Sequence, residues 1–381
     1  VKQVYCFFER SPISHSLKEL RIFALQNSLC SMTTLTHLPL LLTLTLGERL
    51  ALMGVVLFVL LTSVAYTVYA ERKIAAAIQH RIGPNRVGFD LIPQLGFLKG
   101  LAGLGQPIAD VLKLLFKEDV VPASANRFYH LLAPMISLFA ALTTIAVVPV
   151  ASGLVIADIQ IGVLYILAIT SLGVYGLTLA GWASNSKYSL LGGLRSSAQM
   201  ISYEIAMGLS VVSVVVLANS LSMTAIVESQ TANPLYWNCF RNFLGFICFV
   251  VASFAECNRA PFDLPEAEQE LVGGYNTEFG SMKFALFFLA EYANMIVASA
   301  VIATLFLGGY QVPFWSKAPW WVQVGAFVTK TLFMMFVFIW VRWTIPRFKY
   351  NQLMDLGWRK LLPLALFNLL LVSIGVLIFG E

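Results

Sequence analysis

Residues 255–279 read AECNRAPFDLPEAEQELVGGYNTEF and hold six acidic residues, Glu256, Asp263, Glu266, Glu268, Glu270 and Glu278, against one base, Arg259. The stretch lies between two apolar segments, 238–257 and 283–307, and each is long enough to cross a bilayer core, which takes about 20 residues of helix. Dense negative charge is therefore placed at a membrane edge, where an unpaired carboxylate is costly. Crowded carboxylates also repel one another, which makes them candidates for holding and passing protons near neutral pH. The plain alternative is an ordinary acidic surface loop, but no matching lysines accompany this one.

The local residues favour an ordered loop. Pro261 and Pro265 each restrict the backbone, Asp263 is placed to cap a short helix with Pro265 near its start, and Gly273-Gly274 is its expected stop. If 266–271 is helical, Glu266 and Glu270 share a face at i,i+4; if it is extended, Glu266, Glu268 and Glu270 all do. Either geometry makes at least two carboxylates neighbours.

Composition fixes the class. The 381 residues are 58% hydrophobic and only 12% charged, with a mean hydropathy of +0.78. Soluble domains carry about a quarter charged residues, so the chain is expected to be an all-α polytopic membrane protein. Nothing in the basic residues points to nucleic acid. The five cysteines (6, 30, 239, 248 and 257) form no C-x-x-C pair, the four histidines do not pair across apolar spans, and neither G-x-G-x-x-G nor a P-loop is present. Any redox chemistry is expected to come from a diffusible or partner-held cofactor, with no metal bound by this chain.

Eight apolar segments are long enough to span: about 48–70, 129–150, 159–182, 196–218, 238–257, 283–307, 320–343 and 361–380. An even number places both ends on one side. Bases gather in alternate loops, among them Arg72, Arg81, Arg195, Arg259 and Arg347, whereas the opposite loops contribute only Lys317. The positive-inside rule therefore puts the acidic loop on the cytoplasmic or matrix side. Residues 1–46 are more polar; a signal or transit peptide is one reading of them, although Glu9 and Glu19 weaken the acidic-poor pattern expected of one. They read as an N-terminal extension ahead of a single membrane domain, 47–381, with matrix-side loops 71–128 and 257–282.

The first of those loops contains PIADVLKLLFKED from Pro107, with Ile108, Val111, Leu112 and Leu115 at i, i+3, i+4 and i+7 and with Asp110, Lys113 and Lys117 elsewhere. This is the pattern of an amphipathic helix lying in the interface. Such a helix can serve the membrane surface alone, or its apolar face can wall an entrance for a lipid-like substrate, in which case Asp110 faces protein. Within the spans, Glu204, Glu256, Glu291 and Lys330 stand out, because ionisable groups at such depth mark ion or proton routes or structural ion pairs. Tyr203 and Tyr292 flank two of these glutamates and are placed to donate hydrogen bonds. Trp182, Trp320 and Trp321 read as interfacial belt.

Seven motifs carry a resemblance: AERK (70–73), RIGPNRVG (81–88), PIADVLKLLFKE (107–118), GWASNSKYSLLGGLRSSAQMISYE (181–204), the acidic stretch 255–279, ALFFLAEYANMI (285–296) and PRFKYNQLM (346–354). From about residue 47 onward the chain resembles the NADH dehydrogenase subunit 1 family, the quinone-site membrane subunits of respiratory complex I. The resemblance implies eight core helices, no redox centre in this chain, ubiquinone as substrate, and NADH, FMN and iron–sulfur clusters held by partner subunits. It implies as partners the quinone-site iron–sulfur subunits, the antiporter-like membrane subunits and membrane lipids. Arg72, Arg81, Arg342 and Arg347 then match the bases near the quinone chamber and its entrance. Glu266, Glu268 and Glu270 match the acidic loop beneath it, and Glu204, Glu256, Glu291 and Asp110 match the carboxylates that pass protonation or conformational change onward. Cys257 stands where the family commonly has Thr, and Asn351 where it commonly has Asp.

The function this implies is membrane-embedded coupling of quinone reduction to proton translocation. A homologous subunit of a hydrogenase or ferredoxin-linked complex is the nearest alternative, and a stand-alone proton-coupled transporter the one from another class. Against the transporter, the chain shows no pair of Gly/Pro-interrupted spans in matching halves, as an inverted repeat would give. Motif spellings such as GWASNSKY favour the mitochondrial inner membrane, with the bacterial plasma membrane as alternative.

Overall fold

A computed structural model describes residues 46–87, 103–265, 268–315 and 318–379. Two compact units divide at Leu50 and Ala51, and of the first only the start of a helix is described. That helix, α1 (Leu46–Ile78), outruns its expected end near residue 70. The reason is local: AERKIAAAI is built from good helix formers, and no breaker appears before the turn at His80 and Gly83-Pro84. This extension carries Glu71 and Arg72 on a helix.

The remaining helices are α2 (Gln106–Phe116), α3 (Arg127–Thr144), α4 (Gly162–Ala183), α5 (Lys187–Ala218), α6 (Met223–Ser229), α7 (Asn238–Arg241) and α8 (Phe243–Glu256). They continue with α9 (Glu268–Leu271), α10 (Ser281–Phe306), α11 (Trp320–Thr344), α12 (Tyr350–Asp355) and α13 (Leu362–Phe379), the last two joined by a π-helical turn at Leu356–Leu361. Among the described residues no strand forms beyond two isolated bridges. Seven helical segments are long and apolar enough to cross a membrane, and Phe243–Glu256 is a shorter apolar one. The expected all-α polytopic architecture is therefore what the chain adopts.

The expected span 238–257 is two pieces. Asn242 leaves helical geometry (φ −129°, ψ 55°) and its side-chain amide donates to Ser213 Oγ at 2.6 Å. Fourteen residues of α8 rise only about 21 Å, so it falls short of a core about 30 Å thick unless α7 extends it.

The hub is α10, with 61% of its most apolar window buried against 17% for α1. It packs on α3 and α11, while α5 packs on α4, α8 and α13. Close approach relies on small residues. A Cβ on Gly176 of α4 would collide with Ser137 of α3, and one on Gly192 of α5 would lie 2.6 Å from the Tyr275 backbone nitrogen. The second contact seats the turn after the acidic loop directly on α5.

Helix α2 forms where the amphipathic pattern predicts, with Pro107 in its first turn. Ile108, Val111, Leu115 and Phe116 are all exposed, so its apolar side is left uncovered by the described residues. Trp182, Trp320 and Trp321 are exposed as well. In the acidic loop, the backbone turns at Val272 (φ 66°) and Gly274 (φ 56°). A β-branched residue in the left-handed region is strained.

Candidate functional site

Four segments bring charged groups to one buried point. Leu60, Val64, Thr67, Glu71 and Ala75 lie along one face of α1, and all are buried. Glu71 is thus the carboxylate at the inner end of an otherwise apolar face. Arg259, in the loop after α8, is 2% exposed and places Nη1 3.2 Å from Glu71 Oε2. Its Nε lies 2.7 Å from Glu291 Oε1 on α10, an ion pair by distance in which the N–H does not align as a hydrogen bond. The guanidinium also sits over the Tyr292 ring, 4.1 Å from its centroid. Tyr292 Oη donates to Glu71 Oε2 at 2.7 Å, and Arg342 of α11 donates to Glu71 Oε1.

Two carboxylates and two guanidiniums make this cluster balanced in charge. Balance matters because a buried ion without a partner is strongly destabilising. Burial works to lower the Arg259 pKa, but Glu291, Tyr292 and Glu71 raise it, and the outcome is well above the ordinary arginine value. Arg259 Nη2 has no hydrogen-bond partner among the described residues, so the donor set is not saturated.

A second group centres on Glu256. Glu256 at the end of α8 is half-buried, with Thr170 of α4 placed to hydrogen-bond it and Glu204 of α5 as the neighbouring like charge. Glu256 and Glu291 edge one narrow cavity of about 30 Å³. Glu256 also edges a second cavity of about 40 Å³, whose lining is mostly apolar. Gln199 of α5, fully buried, holds this end of α8 in place: its amide donates to Ala255 O at 2.9 Å and to Phe262 O at 2.8 Å.

The acidic loop recruits its bases from distant segments. Arg347 pairs with Asp263 at 2.8 Å and Arg195 with Glu270 at 2.6 Å. The Asp263 carboxylate meets Arg347; residues 266 and 267, where the helix it was expected to cap would begin, lie outside the described residues, and Glu268–Leu271 is helical. Phe348 N also bonds Pro261 O, clipping the segment after α11 onto the loop. Glu266 lies outside the described residues, as does the side chain of Glu268.

Other predicted residues stand apart. One residue past Glu71, Arg72 points outward and pairs with Asp110 at 2.7 Å, which joins α2 to α1. Gln106 donates to the other oxygen of Asp110. Arg81 is exposed and bonds Gln79. Tyr203 Oη donates a hydrogen bond to Leu353 O at 2.8 Å, not to Glu204. Tyr292 likewise serves Glu71 instead of the adjacent Glu291. Lys330 belongs to a separate site, with Nζ donating to Gly309 O and Gln311 O and lying 4.2 Å from the Trp237 ring centroid. Among the described residues no group of three or more His, Cys, Asp or Glu side chains is arranged to hold a metal.

Glu71 is the residue that sequence reasoning missed. The signal was available, since its spacing from Leu60, Val64 and Thr67 follows the buried face of a helix. Gln199 and Thr170 carried no such signal, because each becomes meaningful only through what another segment places against it.

The model of the NADH dehydrogenase family matches residues 51–373. Among similar proteins, "NADH-quinone oxidoreductase subunit 8" of Rhodothermus marinus is 58% identical over 335 residues, 84% of this chain and 95% of that protein. An NADH-quinone oxidoreductase subunit of Salinibacter ruber is 53% identical, covering 84% of this chain and 94% of its own length. The corresponding NADH-quinone oxidoreductase subunit of Rickettsia bellii is 50% identical over 325 residues, 84% of this chain and 91% of its own.

Proposed function

The chain belongs to the NADH dehydrogenase family, and from that premise we propose that it is the quinone-site membrane subunit of a proton-pumping NADH:ubiquinone oxidoreductase. Electrons leave NADH through FMN and iron–sulfur clusters in partner subunits, and ubiquinone accepts them at the edge marked by Arg72, Arg81, Arg342 and Arg347. Residues 47–381 act as one membrane domain, with loops 71–128 and 257–282 facing the electron-delivering partners. Antiporter-like subunits receive the coupling signal. The bacterial relatives support a bacterial plasma membrane over the mitochondrial inner membrane that the motif spellings favour.

The observation that carries this reading is that buried Arg259 contacts Glu71 and Glu291 at once. Arg342 and Arg259 share Glu71. Charge arriving beside Arg342 when quinone is reduced therefore alters the share of Arg259 left for Glu291. Proton occupancy at Glu291 and, across the cavity, at Glu256 follows, and Glu204 passes the change on. Glu266, Glu268 and Glu270 take part from the loop below, while Asp110 holds α2 at the entrance through Arg72.

Purification from native membranes tests the assignment. The chain is expected to arrive with iron–sulfur partner subunits in an assembly that reduces ubiquinone with NADH. A functional monomer or homo-oligomer without such partners contradicts it and favours a transporter.

A further inference from the structure

Glu291 and Glu256 edge the same cavity, and the side chain that joins them is not a carboxylate. Asn294 lies one turn beyond Glu291 on α10, and it edges both cavities, as Glu256 does. The smaller cavity is polar where Glu256, Asn258, Glu291 and Asn294 meet. The larger one is polar only at Thr170, Ser253, Glu256 and Asn294, and beyond them Val163, Met223, Val301 and Leu305 offer water nothing to bond. Both are narrow, with room for single waters and not for a large ligand.

The Asn294 side chain is half-buried and has no protein hydrogen-bond partner among the described residues. Polar groups in such surroundings are satisfied, by ordered water where protein does not serve. An amide presents two donors and an acceptor, so it can orient water toward a carboxylate on either side, but it does not itself ionise. We propose that Asn294 is a positioning residue that fixes a short water bridge between Glu291 and Glu256, along which a proton moves between the two carboxyl groups. This rests on the coupling role proposed above for those glutamates.

The test uses the complete complex reconstituted in liposomes. Asn294→Leu keeps bulk and removes hydrogen bonding; Asn294→Ser keeps a hydroxyl and leaves space for one more water. The leucine variant is expected to assemble, to lose about tenfold in coupled ubiquinone reduction, and to show a larger solvent deuterium isotope effect. The serine variant is expected to stay within about twofold of the parent, as rescue by a retained polar group requires. Asn294→Val, smaller and equally unable to hydrogen-bond, gives the same reading if leucine blocks assembly. A leucine or valine variant with the parental rate and isotope effect overturns the proposal, as does equal impairment of all three variants, which means packing alone. Glu256→Gln is measured alongside. Impairment there with a normal leucine variant removes only the role of Asn294, whereas normal pumping in Glu256→Gln removes the carboxylate route itself.

Discussion

Glu71 and Arg259 lie 188 positions apart in the chain and meet as a buried ion pair at 3.2 Å. The pair fastens the inner end of α1 to the start of the acidic loop, and Glu291 and Arg342 complete its charge balance. Arg259→Ala leaves Glu71 with Arg342 and the Tyr292 hydroxyl and deprives Glu291 of this cation. The expected cost is about 3–5 kcal/mol, read as loss of assembled complex on a native gel. Arg259→Lys retains the charge but not the fork that reaches two carboxylates, so it is expected to recover assembly only in part.

Gln199 holds the α8 terminus through two backbone carbonyls. Gln199→Leu fills similar volume and leaves Ala255 O and Phe262 O with backbone donors alone, at a cost of about 0.5–1.5 kcal/mol. Faster hydrogen exchange across 255–265, with little change in α11, is the expected signature. Unchanged exchange there would show that the loop is held by its ion pairs alone.

Lys330 provides a contrast. Its amine serves the carbonyls of Gly309 and Gln311 beneath Trp237 and pairs with none of the coupling carboxylates among the described residues. Lys330→Met is therefore expected to lower thermal stability by about 1–3 kcal/mol while ubiquinone reduction per assembled complex stays near the parental rate. A specific loss of turnover in a normally assembled variant would place Lys330 on the proton route.

Hydropathy made the architecture legible because each apolar run is longer than any alternative use of it allows. The 18-residue pattern of α3, the long run of α5 and the amphipathic α2 all form near their expected places. What stayed hidden depends on distance in sequence. The acidic stretch read as six carboxylates with one base, yet Arg195 reaches it from α5 and Arg347 from the segment after α11. Tyr203 and Tyr292 were correctly seen as donors, but the acceptor is chosen by the segment packed opposite, not by the neighbour in the chain. The break at Asn242 was hidden for a similar reason, since its stabilising partner Ser213 belongs to α5.

Arg72 and Asp110 make the entrance testable separately from the buried cluster. Their ion pair is partly exposed, at 45% and 31% of the two side chains, so its contribution to stability is about 0–1 kcal/mol. Arg72→Ala and Asp110→Asn are therefore both expected to leave assembly intact and to weaken ubiquinone reduction, while NADH oxidation by a hydrophilic artificial acceptor persists. Parallel loss of both activities would mean that these residues serve assembly only.

The most direct measurement is proton translocation per electron by the complex carrying Glu256→Gln. Glutamine keeps the shape and can still hydrogen-bond Thr170, but it cannot ionise. The account predicts an assembled complex with strongly reduced ubiquinone reduction and proton pumping, because charge at the Glu71–Arg259–Glu291 cluster no longer changes proton occupancy at Glu256. Normal pumping per electron at a normal rate would contradict it and leave Glu256 with a structural hydrogen bond alone.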